Sequence, residues 1–493
     1  MQFRLLNTQG RTKEVFIPAR AGQVSLYVCG VTVYDDCHLG HARAAVVFDV
    51  LTRYLRSQGL KVKYVRNFTD IDDKIIRRSQ ELGIAWDTLA QKYIDAYTEA
   101  MGRLKNLPPD LEPRATHHIP EMIAAIEALM AKGVAYQSGS DVYFAVRSFP
   151  SYGTLSGKNI EDLEAGARVE IGEQKRDPLD FVLWKGAKPG EPSWPAPFGE
   201  GRPGWHIECS AMSLKYLGSP IDIHGGGRDL IFPHHENERA QAEAETGRPF
   251  VHFWMHNGFV NIDAEKMAKS TGHFKYLREV LDRYDADTVR HFLLSAHYGG
   301  PLDYSAVALD ESERAVMRFY TTLQRLGPVQ KEAPHSGPVH PQTEAEKKCW
   351  NRVGALPKKI QTALADDLNT AAALGAIFEA VREVNRCLDQ GGLSAGMRGA
   401  MAGSFADAVA VVRQVLGMFH DDAGVYLDKK RSRGLDAKLV DRAQVERLIE
   451  ERLAARRSGD FKQADAIRAT LTAQGVELSD CPDGTTQWWM RSN

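Results

Sequence analysis

The stretch from Val24 to Arg66 constrains the fold more than any other. Val24–Val28 is a short apolar run suited to a buried strand. A loop running Cys29-Gly30-Val31-Thr32-Val33-Tyr34-Asp35-Asp36-Cys37 leads into His38-Leu39-Gly40-His41. From about Gly40 to Ser57, Val46, Val47, Val50, Leu51 and Leu55 recur near helical spacing, and Gly59 ends the pattern. Lys61–Arg66 then reads as a second strand. Strand, crossover helix and strand form the βαβ unit of a parallel nucleotide-binding sheet. The expected fold class is therefore α/β. Two helices are expected next, from about Asp72 to Leu82 and from Ala85 to Leu104.

From about Glu121 to Pro203 the alternation breaks. Pro189, Pro192, Pro195, Pro197 and Pro203 crowd the end of this segment, which reads as an insertion between two halves of the sheet. Pro220-Ile221-Asp222-Ile223-His224 restores a strand, followed by Gly225-Gly226-Gly227. His234–Thr246 is a helix candidate and Phe253–Val260 another strand. Beyond Ser305 the pattern is helical, with amphipathic segments at Glu311–Leu326, Ala345–Leu364, Thr370–Leu388 and Met397–Leu416. Gly327–Glu344 reads as a linker or long loop. Lys429–Arg457 carries ten Lys/Arg against five Asp/Glu, and with Phe461, Ala464, Ile467 and Leu471 it suggests a basic helical hairpin. The expected domains are a Rossmann-like catalytic domain over 1–120 and 204–260, with a connective insertion over 121–203. A lysine-loop region covers 261–310, a helical bundle 311–425 and a small C-terminal domain 426–493.

Composition narrows the class further. The chain has 493 residues, 43% of them apolar and 26% charged, which suits globular domains rather than disorder or rods. Its net charge of −2 is uninformative about a nucleic-acid partner, because local patches decide that. Six scattered cysteines are too few for a disulfide scaffold and fit thiols or metal ligands in a reducing cytosol. Met1–Phe16 lacks a signal-peptide pattern, and no window approaches 18 uninterrupted apolar residues. A cytoplasmic protein without a membrane partner is expected.

Three constellations carry chemistry. His38 and His41 sit where a loop turns into a helix, whose N-terminal amides can hold phosphate. Lys266-Met267-Ala268-Lys269-Ser270 follows the last strand, and two lysines in a loop suit a polyphosphate. The third is Cys29, Cys209, His234 and Glu238, the last two one helical turn apart. Two thiolates, an imidazole and a carboxylate could form a tetrahedral zinc shell. Spacing leaves His235 and His206 open as competing ligands, and two core cysteines remain the plainer reading of the spacing.

His38-Leu39-Gly40-His41 after the first strand and the lysine motif after the last together resemble the signatures of class I aminoacyl-tRNA synthetases. Ala268 departs from the usual motif, which has Ser there, so loop flexibility or rate is expected to differ. Within that class, Cys29–Asp35, Phe68–Lys74, Gly204–Ser210, His224–Gly227 and Phe232–Glu238 resemble the cysteinyl-tRNA synthetases, and the likeness runs from Tyr27 to Thr486. The resemblance implies activation of L-cysteine with ATP and its transfer to tRNA(Cys), by a chain expected to be a monomer. It implies one zinc ion per chain on Cys29, Cys209, His234 and Glu238, and Mg²⁺ accompanying ATP. His38, His41, Lys266 and Lys269 would surround the triphosphate, and Gly225, Gly226 and Gly227 would let the backbone approach the adenylate. Thr32, Trp205, His224, Asp229 and His256 would line the cysteine pocket. At the C-terminal end, Arg456, Phe461, Asp465, Arg468 and Asp480 would read the anticodon.

The chemistry is consistent with this. Cysteine and serine are nearly isosteric, and a shape difference of that size discriminates by roughly 1–3 kcal/mol. Zinc binds thiolate in preference to hydroxyl, so a metal could supply selectivity. Four protein ligands leave no open position, so a fifth site or a weak ligand is needed, and Glu238 is the candidate. Other readings are a cysteine:amino-sugar ligase, a non-catalytic tRNA-binding paralogue and a dinucleotide-dependent oxidoreductase. The long stretch after Ser305 argues against the first, the presence of His41 and Lys269 against the second, and the lack of Gly-x-Gly-x-x-Gly against the third.

Overall fold

The apolar run at Val24 lies within the strand β1, Gln23–Thr32, followed by helix α1, Leu39–Ser57, and strand β2, Lys61–Thr69. A computed structural model describes residues 2–159, 175–262, 265–266, 275–332, 339–438, 441–480 and 486–490. Helix α2, Trp205–Leu217, precedes β3, Ile221–Gly227. Helix α3, Glu236–Thr246, precedes β4, Val251–Asn257. The four strands are parallel in the order β4-β3-β1-β2. From β1 the chain moves one way to β2, while β3 pairs on the other side. In such sheets ligands bind outside the carboxyl ends of the strands, where the order reverses, here between β1 and β3.

Val46, Val50, Leu51 and Leu55 of α1 are all buried, as their spacing requires, and Tyr27 and Trp254 are wholly enclosed in the sheet. The sheet differs from the sequence expectation at two edges. Strand β3 runs on through Gly225, Gly226 and Gly227, because Met255, His256 and Asn257 pair with them in register. Strand β4 stops at Asn257, and Val260–Ile262 is a separate strand β5 parallel to Leu302–Tyr304. Gly258 makes the break. Its N–H donates to Tyr298 O at 2.7 Å, and a Cβ there would stand 2.1 Å from Gly300 O.

The pairing of β1 with β2 is irregular between Val28 and Val31. There Gly30 N–H donates to Asn67 Oδ1 at 2.9 Å. A Cβ on Gly30 would lie 1.5 Å from the Asn67 carbonyl oxygen, a backbone atom that cannot rotate away. Gly30→Ala is therefore expected to cost about 3 kcal/mol by overpacking. Thermal melting checks this, and an unchanged transition would mean that the strand can slide.

Between the halves lies helix Ile119–Ala131, with Pro120 in its first turn, where no N–H is needed. An antiparallel sheet of Ala135–Ser138, Asp141–Phe144, Phe181–Gly186 and Gly201–Pro203 follows. All of this belongs to one compact unit, Met1–Glu279 with Ala296–Tyr304 and Leu364–Asn369.

The second unit comprises Val280–Ser295, Ser305–Ala363 and Thr370–Asn493. Its long helix Ala306–Glu332 continues through Gly327-Pro328, where a linker is expected from the sequence. The expected helix Ala345–Leu364 is instead two, Glu344–Val353 and Leu356–Ala365. Gly354 caps the first, and Pro357, which lacks an N–H, is accommodated in the first turn of the second. Thr370–Gln390 and Ala395–Leu416 follow as expected. Helices Arg442–Arg457 and Phe461–Ala473 form the basic hairpin, which turns at Gly459 with φ +82°. The antiparallel strands Val476–Asp480 and Thr486–Met490, absent from the sequence reading, complete it. Val445, Ile449, Leu471, Val476, Trp488 and Met490 make their shared core. Among the described residues, no helix is long and apolar enough to cross a membrane.

Candidate active site and metal centre

The carboxyl ends of β1, β3 and β4 hold Cys29, Thr32, His224, Gly225, Gly226, Gly227 and His256 among the residues singled out from the sequence. His38 is the N-cap of α1. Its Nδ1 accepts the Gly40 N–H at 3.0 Å, while His41 Nδ1 accepts the His38 N–H at 3.2 Å. This reciprocal capping stacks the two rings at 3.8 Å between centroids. An Nδ1 that accepts carries no proton, so each ring holds its proton on Nε2 as a donor. Capping thus uses Nδ1 of both residues, and any contact with a phosphate would fall to Nε2. The backbone of Lys266 pairs with Asn261 of β5. The Lys266 side chain and all of Lys269 lie outside the described residues, as does Ala268.

The glycines after His224 serve two purposes. A Cβ on Gly225 would meet the Phe48 ring of α1 at 2.2 Å, so its bareness lets α1 pack on the sheet. Cβ atoms on Gly226 and Gly227 would meet Leu230 at 2.8 Å and the Asp229 carboxylate at 2.4 Å.

Three segments distant in sequence converge at the carboxyl end of β1. Cys29 comes from β1, Cys209 from α2, His234 from a π-type turn over Ile231–His235, and Glu238 from α3. Their donor atoms lie within 4.8 Å of one another. Cys29 Sγ donates to Glu238 Oε1 at 3.1 Å, and His234 Nε2 is 2.9 Å from the same oxygen. A second set, Cys29, His224, His235 and Glu238, meets the same criterion. His224 Nε2 is 3.5 Å from Cys29 Sγ and 3.3 Å from Glu238 Oε2. The open question between ligands thus falls on His235 with His224. His206 is instead engaged with His234, Nδ1 to Nδ1 at 2.9 Å.

The protonation of the cluster suits a group of donors that could hold a cation. Burial pushes the Cys29 thiol and the Glu238 carboxyl up, away from ionisation. It pushes His206, His224 and His235 down, keeping them neutral. For Cys209, burial is the largest influence and opposes ionisation, but the hydrogen bonds with Cys29 and His234 together outweigh it and the thiol lies below its ordinary value. Glu238 Oε2 and His235 Nε2 are buried without a hydrogen-bond partner. Neutral imidazoles and thiols that ionise on binding are the donors a zinc ion takes, so the residues fit the metal.

The residues expected to line the cysteine pocket are placed in different ways. Trp205, 38% exposed, stacks on His234 at 4.2 Å. Thr32 ends β1, paired with Thr69, and Asp229 lies in the exposed turn after β3. His256 is buried, with Nε2 2.7 Å from His235 and Nδ1 2.7 Å from Thr8, which holds it behind His235. Burial and Arg228 pull its pKa down to about 3. Asn67 escaped the sequence reading. It is buried, and its Oδ1 takes both the Gly30 N–H and the Cys209 thiol, at 3.6 Å, tying two donor segments together. Its strand also carries Lys61, Lys63, Arg66 and Thr69, so no local signal singled it out.

In the second unit, Phe461 is 65% exposed, and Asp465 and Arg468 are exposed on the same helix. Arg456 and Asp480 are paired at 2.6 Å, and Arg452 grips Asp480 with two hydrogen bonds of 2.6 and 2.8 Å. Those hydrogen bonds hold the Asp480 carboxyl well below the usual range.

Comparison with known proteins agrees with the fold. The family described as tRNA synthetases class I (C) catalytic domain matches residues 15–314, and the DALR domain matches residues 359–420. The cysteine–tRNA ligase of Geobacter sulfurreducens is 50% identical over 487 residues, covering 99% of both chains. That of Nitratidesulfovibrio vulgaris is 51% identical over 484 residues, covering 98% of this chain and 99% of its own. A Mycobacterium tuberculosis methionyl-tRNA synthetase in complex with methionyl-adenylate shares the fold. Its TM-score is 0.63 at 16% identity, over 82% of this chain and 93% of that one. With catalytic fold, helical C-terminal half and full-length likeness in agreement, the chain belongs to the cysteine–tRNA ligases, a family of class I aminoacyl-tRNA synthetases.

Proposed function

We propose that this cysteine–tRNA ligase selects cysteine by its thiol, through one zinc ion held by Cys29, Cys209, His234 and Glu238. The observation that carries the reading is the convergence of two thiols, an imidazole and a carboxylate within 4.8 Å, at the carboxyl end of β1, where ligands bind. Bound zinc would supply affinity for a thiolate, which the hydroxyl of serine lacks. Trp205 walls the amino-acid pocket with Thr32, His224 and His256, and Asp229 pairs with the substrate ammonium.

In the first step the cysteine carboxylate attacks the α-phosphate of ATP, accompanied by Mg²⁺, and pyrophosphate leaves. No side-chain nucleophile is needed, so catalysis is positioning and charge stabilisation. His38 and His41 donate from Nε2 to the phosphates, Lys266 and Lys269 meet the charge that grows on pyrophosphate, and Gly225, Gly226 and Gly227 admit the adenylate. In the second step the terminal ribose hydroxyl of tRNA(Cys) attacks the acyl carbon and AMP leaves. The anticodon of the partner is read by Arg456, Phe461, Asp465, Arg468 and Asp480. The chain acts as a cytoplasmic monomer.

Charging of bulk tRNA with labelled cysteine, with serine as control, tests the selection. Cysteine alone is expected to be attached, and comparable serine charging would refute the thiol-selecting site. Arg468→Ala is expected to raise the KM for tRNA roughly tenfold, the scale of one lost base contact. ATP–pyrophosphate exchange should stay within twofold. Equal loss in both assays would refute the anticodon role.

A further inference from the structure

Arg43 stands two residues beyond His41 on α1, and its side chain is fully buried. Among the described residues no carboxylate pairs with it. Its Nη1 donates to Phe259 O at 2.6 Å, and its Nη2 donates to Gly300 O at 2.7 Å and His297 O at 3.2 Å. A buried guanidinium spent on three carbonyls is unusual, since buried charge is normally paired with opposite charge. Burial and the nearby Arg228 lower its pKa to about 10, so it remains a cation at neutral pH.

The three carbonyls share one location. Phe259 immediately precedes β5, and its oxygen also accepts the Leu302 N–H at 2.9 Å. Strand β5 pairs with Leu302–Tyr304 on one side and with Glu265–Lys266 on the other. His297 and Gly300 lie in the turn before Leu302. One guanidinium therefore joins the helix that carries both histidines to the base from which the lysine motif departs.

We propose that Arg43 is a positioning residue for adenylate formation, which sets the distance between the His38–His41 pair and the base of the lysine loop. The inference rests on the assignment of His38, His41, Lys266 and Lys269 to the triphosphate. Both groups must meet the same phosphates, and a displacement of about 1 Å far from the chemistry can lower rate about a hundredfold. The fork of Arg reaches two chain segments at once, whereas a lysine head would hold one.

The test compares Arg43→Met, Arg43→Lys and Arg43→Ala with Lys266→Ala in ATP–pyrophosphate exchange on the full chain. Metal content and thermal melting are measured on each. Arg43→Met is expected to lower kcat about 10- to 100-fold, with the KM for cysteine and the metal content within twofold of the parent. Arg43→Lys should lie between. Guanidinium ion should restore activity to Arg43→Ala at least threefold, and methylammonium at equal ionic strength should not. An Arg43→Met kcat within twofold of the parent, beside a slow Lys266→Ala, overturns the inference alone. A neutral Lys266→Ala overturns the loop assignment and the inference together. Parallel losses in kcat, KM, metal and melting, without rescue by guanidinium, overturn the positioning role in favour of a general structural one.

Discussion

Cys209→Ser is expected to lower metal affinity at least about a hundredfold and to abolish most cysteine activation. Even neighbours of metal ligands change affinity about 10- to 100-fold, and Cys209 is placed in the coordinating set itself. The substitution keeps the shape of the side chain and removes the sulfur. Purified parent chain is expected to carry about one zinc, measured by elemental analysis, and the variant less than a tenth of that. Serine discrimination should be measured alongside, since residual activity ought to select cysteine less well. The result also decides between the two overlapping donor sets, which share Cys29 and Glu238. If Cys209→Ser keeps its metal while His235→Asn loses it, the ion belongs to Cys29, His224, His235 and Glu238 instead. Unchanged metal in both variants would remove the metal assignment altogether.

Lys269→Ala is expected to lower the kcat of adenylate formation about 10²- to 10³-fold, the range seen when one donor to a developing oxyanion is removed. The KM for cysteine and the zinc content should not move, because the metal cluster lies at the carboxyl end of β1 and on α2 and α3 rather than in the lysine motif. A rise in the cysteine KM with kcat unchanged would show that the lysine acts in ground-state binding of the amino acid, contrary to its proposed role. Ala268→Ser, which restores the usual residue of the motif, is a useful companion. It alters no charge, so a change in kcat would measure what the departure at Ala268 from the usual motif does to the rate.

Much of the sheet could be read directly because its signals are local. Val46, Val50, Leu51 and Leu55 bury one face of α1, and His38 caps it, so the helix found at Leu39–Ser57 differs by one residue from that expected. The strand through Gly225–Gly227 was illegible, because three glycines carry no strand propensity and their pairing comes from β4. The two C-terminal strands were missed for a related reason. Their apolar face is defined by Val445, Ile449 and Leu471 on the helical hairpin, which lies well outside any strand-length window.

The order of motifs along the chain, the residue types in them and the caps and periods of the helices are properties of neighbouring residues. The sequence by itself therefore determined the parallel-sheet class, the family resemblance and the candidate donors. Which donors meet is a different kind of property. Cys29 and Glu238 are 209 positions apart, and the nearness of Cys29, Cys209, His234 and Glu238 depends on how β1, α2 and α3 pack. The same holds for the competing His224–His235 set, for Asn67 between Gly30 and Cys209, and for Arg43 between α1 and the base of β5. Only the tertiary structure decided these. Hydrogen bonds and metal donor sets act over a few ångströms of space, and chain distance says nothing about them until the sheet has brought the segments together.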